Sequence, residues 1–221
     1  MSTLRFFTAL LASAVMLIVA GCGRGGSSGA GAGLGAGARA TLTHYAVLDG
    51  SDAPLRAAFN RDHGKVRLVF LVDPICPGCL RGLADMGGDL LSRLPAGAPV
   101  KVYVVYEPVI GGKAKDIPAA TALLQYPTAM LYWNPTGDFG RQMSHVLDYW
   151  NGYRWVYAWD TWLIYPPDAL WTGTAPPQPA FLMHQLGGLP HTARFPHLDP
   201  RIFAAKVNTM LSSLTQATAA K

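Results

Sequence analysis

Two cysteines with the spacing C-x-x-C join a segment typical of a buried strand to one typical of an amphipathic helix. Residues 66–72 form an apolar, largely β-branched run, which predicts a strand buried on both faces. Residues 79–94 carry apolar side chains at helical spacing. Cys76 is therefore placed at a helix N-terminus, where unpaired N–H groups and the helix dipole favour a thiolate. We expect Cys76 to act as the nucleophile and Cys79, one turn further along, to resolve a mixed disulfide.

The first 21 residues are typical of an export signal. Arg5 precedes the apolar run 6–20, which is short for a membrane span; an N-terminal anchor helix is the alternative. Residues 19–22, Val-Ala-Gly-Cys, resemble the lipobox of bacterial lipoproteins. That resemblance implies that Cys22 carries the lipid and begins the mature protein, and Gly23 after it implies sorting to the outer membrane. We therefore expect a lipid anchor in the cell envelope, with the domain on the periplasmic face.

Residues 22–40 are rich in Gly, Ala and Ser. Such a segment cannot bury enough apolar surface to offset the entropy of ordering it, so it predicts a flexible tether. Residues 41–221 are left for one folded domain with a sizeable core. The net charge of +5 is scattered, with no run of Lys or Arg, and gives no indication of nucleic-acid binding.

The number of cysteines limits what the C-x-x-C pair can do. The chain has three, and the lipid would take Cys22. No second pair is available to complete a four-thiolate zinc site. A disulfide between Cys76 and Cys79 closes so short a loop that it would stabilise the fold only slightly. In an exported chain, a single cysteine pair this close in sequence indicates either a redox switch or a binding site for a soft metal ion.

The order of strand, Cys76-Pro77-Gly78-Cys79 and helix resembles the active site of the thioredoxin superfamily. Pro77 suits the first helical turn because its missing N–H would have had no intrahelical partner. The resemblance implies an α/β, thioredoxin-like fold in which helices flank a central mixed sheet. It also implies dithiol–disulfide exchange with protein thiols or disulfides, a membrane or periplasmic electron donor or acceptor, and no dissociable organic cofactor.

The remaining segments can be assigned to such a fold. Residues 100–106 predict a second strand, and its connection to 66–72 through a helix requires parallel pairing. The string from Tyr126 to Arg141 is similar to the third strand and following helix of peroxiredoxin- and TlpA-type proteins. Residues 172–198, rich in Pro and Gly, predict a packed extension or lid before the C-terminal helix. Further strands are predicted at 129–133 and 157–165, a hairpin partner at Leu170-Trp171, and helices at 117–125, 139–147 and 201–214.

Catalytic thioredoxin-like proteins place a cis-proline opposite the C-x-x-C pair, and this sequence departs from that pattern. The alignment that keeps strand, turn and strand in order puts the position at Trp159-Asp160, which contains no proline. A rival alignment puts it at Pro179. If Asp160 faces the cysteines, its carboxylate raises the thiol pKa and can accept a proton; the alternative is a surface or turn residue. Asp160 and Pro179, with Pro77 and Gly78, are the substrate-facing candidates.

Two other functions are compatible with the sequence. Thiolates combined with histidine suit Cu(I), and the copper-delivery proteins of the Sco type resemble this chain in architecture. Those proteins carry C-x-x-x-C and a distant histidine, whereas here the third ligand beside Cys76 and Cys79 would be His184 or His191. The other possibility is a non-catalytic lipoprotein in which the cysteine pair forms a static local disulfide.

Overall fold

The computed structural model describes residues 44–187 and 194–219, with side chains as far as 216. The predicted export signal, the predicted tether with Cys22, and His191 lie outside the described residues. Within the described ranges, no helix combines the length and the apolar character needed to cross a membrane. In chain order the strands are β1 (Ala46–Val47), β2 (Val66–Val72), β3 (Val100–Tyr106), β4 (Met130–Trp133), β5 (Thr161–Tyr165) and β6 (Phe181–His184), and the α-helices are α1 (Ala53–Arg61), α2 (Pro77–Asp85), α3 (Ile117–Leu124), α4 (Asp138–Val146) and α5 (Pro200–Ala219).

The strands form one mixed sheet with the order β1-β4-β3-β2-β5-β6. The pairs β1–β4, β4–β3 and β3–β2 are parallel, and β5 is antiparallel to both β2 and β6. Val66 lies opposite Val100, which confirms the parallel pairing predicted for these two strands. Every residue of β2 is buried, as expected for a central strand with helices on both faces. The sheet is therefore the mixed, helix-flanked sheet that the sequence predicts.

Two layers of helices cover the sheet. α2, α3 and α5 pack on one face, where Phe203 of α5 is fully buried. α1 and α4 pack on the other face, with Phe59 of α1 in that core. Because successive strand side chains point to opposite faces, Phe70 of β2 joins the first core and Leu71 the second. Both cysteines belong to the first core, so the α2 layer carries the candidate chemistry.

The helix predicted at 79–94 is wrong in its bounds and its regularity. α2 begins at Pro77 and ends at Asp85, and the chain continues as a π-helical turn (Met86–Leu90) and a 3₁₀ turn (Leu91–Arg93). Gly87 explains part of the change, because a Cβ there would lie 2.4 Å from the carbonyl oxygen of Leu124. The backbone at Gly87 therefore packs directly on the end of α3, where there is no space for a side chain.

The strand predicted at 157–165 is too long. β5 begins at Thr161, and the preceding residues bond to the region of α4 instead of to a neighbouring strand. The Ala158 N–H donates to the Gly140 carbonyl oxygen at 3.2 Å, and the Tyr157 hydroxyl donates to the Gly137 carbonyl oxygen. The alternation of aromatic and small residues before β5 therefore reflects packing against α4 and does not mark a strand.

The hairpin partner predicted at Leu170-Trp171 is also wrong, because β5 pairs with β6 instead. Buried Arg67 holds the chain after β5 by donating to the carbonyl oxygens of Pro166 and Ala169. The Trp171 N–H then donates to Asn60 Oδ1 of α1 at 2.8 Å, so this segment packs on a helix.

The C-terminal region contains both a missed strand and a correctly placed helix start. β6 lies inside the segment 172–198, which the sequence predicts as an extension. Asp199 Oδ1 accepts hydrogen bonds from the backbone N–H groups of Arg201 and Ile202, as expected of a residue that caps a helix. α5 continues to Ala219, beyond the predicted end at 214. β1 and α1 were not anticipated from the sequence.

Candidate active site

Cys76 is the N-cap residue of α2, at the end of the loop that follows β2. Its Sγ accepts a hydrogen bond from the backbone N–H of Cys79 at 3.4 Å, so an unpaired donor of the first helical turn points at the sulfur. Both cysteines are free thiols. Cys76 is 5% exposed and Cys79 is completely buried. Cys76 is thus the sulfur that a partner can reach, and Cys79 lies behind it.

The environments of the two sulfurs give the Cys76 and Cys79 thiols very different pKa values. The pKa of the Cys76 thiol falls to about 7, chiefly because the Cys79 thiol donates a hydrogen bond to it; backbone N–H groups contribute, while burial and the charge of Asp160 oppose the shift. Burial raises the pKa of Cys79 far above its ordinary value, and its bond to Cys76 adds to that shift. A reactive thiolate and a protonated reserve thiol are what an attacking and a resolving cysteine require.

Asp160 supplies a carboxylate directly beside both cysteines. It precedes β5, and β5 runs antiparallel to β2, so the start of β5 lies at the sheet edge where β2 ends. One oxygen of Asp160 and the two Sγ atoms all lie within 4.8 Å of one another. Asp160 is 3% exposed and holds a left-handed conformation with φ of 46°. Burial raises the pKa of its carboxyl to about 6, and hydrogen bonds from Trp162 and Cys79 oppose this increase.

Gln185 is a site residue that the sequence did not reveal. With the amide nitrogen turned toward its two acceptors, it donates to Asp160 Oδ1 and to the Gly78 carbonyl oxygen, at 2.9 Å each. Its backbone N–H also donates to the Asp160 carbonyl oxygen at 3.1 Å. Trp162 Nε1 donates to the same Oδ1 at 3.4 Å. Gln185 therefore links the C-x-x-C loop to Asp160, and no motif marks it because its position depends on the register of β6.

Two glycines allow α2 to approach this group closely. A Cβ on Gly78 would lie 2.5 Å from Asp160 Oδ2, and one on Gly82 would lie 2.1 Å from Cζ2 of the Trp162 ring. Real Cβ atoms do not approach other atoms so closely, so a larger residue at either position would push the carboxylate or the indole away. Asp160 thus leaves no space for a side chain at position 78, a contact in the folded structure that the sequence alone could not show.

Asp73, the residue after β2, fixes the opposite wall of the site. Its Oδ1 accepts from the Ile75 N–H at 2.9 Å, and its Oδ2 accepts from the N–H groups of Ile110 and Gly112 at 2.8 and 3.3 Å. The Cys76 N–H donates to its carbonyl oxygen at 3.1 Å. One buried carboxylate therefore ties the cysteine loop to the loop after β3.

The structure does not bring the other predicted site residues to the cysteines. Phe181 pairs with Ile164 and His184 with Thr161, so β6 runs toward the site and Pro179 precedes its far end. Leu186 N–H donates to Nδ1 of His184 at 3.0 Å, and Nε2 lies 3.2 Å from the Phe195 carbonyl oxygen. Among residues 44–187 and 194–219, His184 is not part of the metal-competent group around the two sulfurs.

No known family model and no curated protein matches the chain. Structural similarity is found to a secreted Mycobacterium tuberculosis disulfide oxidoreductase homologous to E. coli DsbE, at 11% identity and a TM-score of 0.39 over 67% of this chain and 84% of that one. A thiol:disulfide interchange protein of the thioredoxin family from Chlorobium tepidum is similar at 13% identity and a TM-score of 0.40, over 72% and 84% of the two chains. Because both TM-scores lie below 0.5, the fold is described from its own sheet and helices, and the chemistry is inferred from the site itself.

Proposed function

We propose that the protein is a thiol-disulfide oxidoreductase that exchanges disulfides with partner proteins. The observation that carries this is the contrast between the two sulfurs. Cys76 is at the helix start, receives an N–H hydrogen bond and has a pKa near 7, whereas Cys79 is buried and protonated one turn further on. Such a pair favours one direction of attack, with the accessible sulfur reacting first.

In the reductive direction, the Cys76 thiolate attacks one sulfur of a partner disulfide. The partner's S–S bond breaks, its second sulfur leaves as a thiolate, and a mixed disulfide joins the partner to Cys76. Cys79 then passes its proton to the carboxylate of Asp160 and attacks Cys76 Sγ. The mixed S–S bond breaks, and the partner's first sulfur leaves as a thiolate that takes the proton from Asp160, while its other thiolate takes a proton from water. Two electrons have moved from the cysteine pair, which becomes a disulfide, to the partner, which becomes a dithiol. The same steps in reverse oxidise a partner dithiol.

The surface beside Cys76 suits a protein partner. Ile75 and Ile110 flank the cysteine loop and are 42% and 48% exposed. Exposed branched apolar side chains next to a nucleophile provide contact area for an extended segment of another protein. A cysteine residue that is only 5% exposed needs such a guided approach.

A redox titration tests the proposed exchange. Equilibration in glutathione buffers, followed by alkylation of free thiols, is expected to show a reversible two-electron couple confined to Cys76 and Cys79. Insulin reduction or oxidative refolding of a reduced substrate protein should accompany it. A reduction potential below about −300 mV with neither activity would instead identify a static local disulfide.

We further propose that the domain is exported and held to a membrane by lipid on Cys22. The support is the sequence pattern of an export signal, a Val-Ala-Gly-Cys segment and a Gly/Ala/Ser-rich tether. Expression of the full chain with radiolabelled palmitate should label the wild type, and detergent should be needed to extract it from membranes. Cys22→Ser is expected to lose both properties, with Cys79→Ser as the control that keeps them. Equal labelling of both variants would contradict the anchor.

A further inference from the structure

Three potential metal ligands meet in the interior of the described chain. Sγ of Cys76, Sγ of Cys79 and a carboxylate oxygen of Asp160 all lie within 4.8 Å of one another, and all three residues are buried. In the part of the chain that the structure describes, no other set of three or more His, Cys, Asp or Glu residues is arranged in this way. Dithiol exchange uses this carboxylate only as a proton acceptor for Cys79, whereas its position within 4.8 Å of both sulfurs also makes it a third potential ligand for a metal ion.

The three ligands are held by separate parts of the fold. α2 positions the two cysteines, with Cys76 as its N-cap, and the start of β5 positions Asp160. Trp162 Nε1 and the Gln185 amide both donate to Oδ1 of that carboxylate, which fixes its orientation. Hydrogen bonds of this kind behind a ligand are typical of protein metal sites. The group is therefore largely preorganised.

The mixture of donors selects among metals. Zn²⁺ accepts thiolate sulfur at about 2.3 Å and carboxylate oxygen at about 2.0–2.2 Å in tetrahedral geometry, which places neighbouring ligand atoms roughly 3.5–3.8 Å apart. Atoms that already lie within 4.8 Å reach this spacing by small side-chain rotations. Cu(I) prefers soft sulfur and nitrogen donors, so a carboxylate as third ligand favours zinc over copper.

Charge supports a divalent ion as well. Two thiolates and a carboxylate would place three negative charges in a buried space, and burial without compensation is strongly unfavourable. A dication leaves a net charge of −1 and removes that conflict. Among the described residues, the hydrogen-bond donors to Asp160 are the Trp162 indole, the Gln185 amide and the Cys79 thiol, none of which carries a positive charge. Arg81 and His197 act on the carboxylate through their charge without a hydrogen bond to it.

We propose that the reduced protein binds one Zn²⁺ through Cys76, Cys79 and Asp160, with the fourth position open to water or a small ligand. Oxidation of the cysteine pair to a disulfide removes two of the three ligands, so the oxidised protein does not hold the ion. The proposal shares the cysteines with the proposed function but does not depend on it, because a reduced chain that exchanged no disulfides would still present the three ligands.

Metal titration of the reduced mature protein tests this site. Competition with a chromophoric zinc chelator is expected to give one Zn²⁺ per chain for reduced wild type and none for the diamide-oxidised protein. Co²⁺ as a spectroscopic probe should give thiolate-to-metal charge-transfer absorption together with the intense visible bands of a tetrahedral site. Asp160→Asn is expected to weaken Zn²⁺ binding by about tenfold or more, and His184→Ala is expected to leave it unchanged.

Three results would overturn the proposal. They are no stoichiometric binding by the reduced wild type, equal affinity in Asp160→Asn, or a Co²⁺ spectrum that His184→Ala alters and Asp160→Asn does not. If Asp160→Asn does not fold, Asp160→Ser serves in its place, and the wild-type Co²⁺ absorption reports separately whether two thiolates coordinate. Redox titration of metal-free protein distinguishes a failure of this site from a failure of disulfide exchange.

Discussion

Replacing Cys76 with serine is expected to abolish reaction with a disulfide substrate, whereas replacing Cys79 with serine is expected to stop the reaction at a mixed disulfide. In Cys76→Ser the remaining thiol is fully buried and its pKa is far above the ordinary value, so no thiolate is presented to a partner. In Cys79→Ser the serine hydroxyl replaces the Cys79 thiol as the side-chain donor to Cys76, and the helix start and backbone N–H groups still stabilise the Cys76 thiolate. The attack occurs, but no second sulfur displaces the partner.

The two variants are separated by single-turnover chemistry. With glutathione disulfide or a small disulfide-bonded protein as substrate, mass spectrometry of the quenched reaction should show one covalent adduct on Cys79→Ser and none on Cys76→Ser. Multiple-turnover reduction of insulin should fall by about 10³-fold or more in both, because each removes one half of a two-step exchange. An adduct on Cys79 in the Cys76→Ser protein would show that the roles of the sulfurs are reversed.

The central strands and the start of α2 could be predicted because their signals are local. The run 66–72 is buried throughout, so its composition alone identifies a strand, and 100–106 repeats the pattern. Cys76-Pro77-Gly78-Cys79 places a proline in the first helical turn, and the structure has Cys76 as the N-cap there. Those features need no knowledge of distant residues.

Features that depend on tertiary pairing could not be predicted in this way. β6 has four residues and is recognised only by its register against β5, so its neighbour Gln185 had no signal. Residues 157–160 have strand-like alternation, yet the Ala158 N–H donates to Gly140 of α4 and the Asp160 carbonyl oxygen accepts from Gln185, so the segment forms no strand. The order of segments could suggest the position of Asp160, but its contact with Gly78 follows from how closely α2 approaches β5.

Glu107 is a fully buried carboxyl group that is expected to reduce stability at neutral and alkaline pH. It follows β3, and its Oε1 accepts from the Gly140 N–H at 2.8 Å. Within the described structure its Oε2 has no hydrogen-bond partner. The nearby Tyr157 hydroxyl donates to the Gly137 carbonyl oxygen. Burial accordingly raises the pKa of Glu107 to about 8.

The raised pKa fixes the sign of the pH dependence. Below the ordinary pKa of 4.5, Glu107 is protonated in both the folded and the unfolded chain and contributes no difference. Between that value and about 8 the unfolded chain releases a proton that the folded chain retains, so the free energy of unfolding decreases as pH rises. At pH 7 the loss is on the order of 3 kcal/mol, from about 1.4 kcal/mol per pKa unit.

Glu107→Gln is therefore expected to stabilise the protein by about 2–3 kcal/mol at pH 7 and by almost nothing at pH 4. The amide keeps an oxygen to accept from Gly140 and presents an N–H toward the Tyr157 oxygen, as the protonated acid would, but it carries no ionisable proton. Urea unfolding of wild type and variant from pH 4 to pH 8 measures the effect, with Asp85→Asn at an exposed position as the control for loss of one carboxyl group. Wild-type and Glu107→Gln curves that stay parallel across this range would mean that folding does not raise the pKa of Glu107.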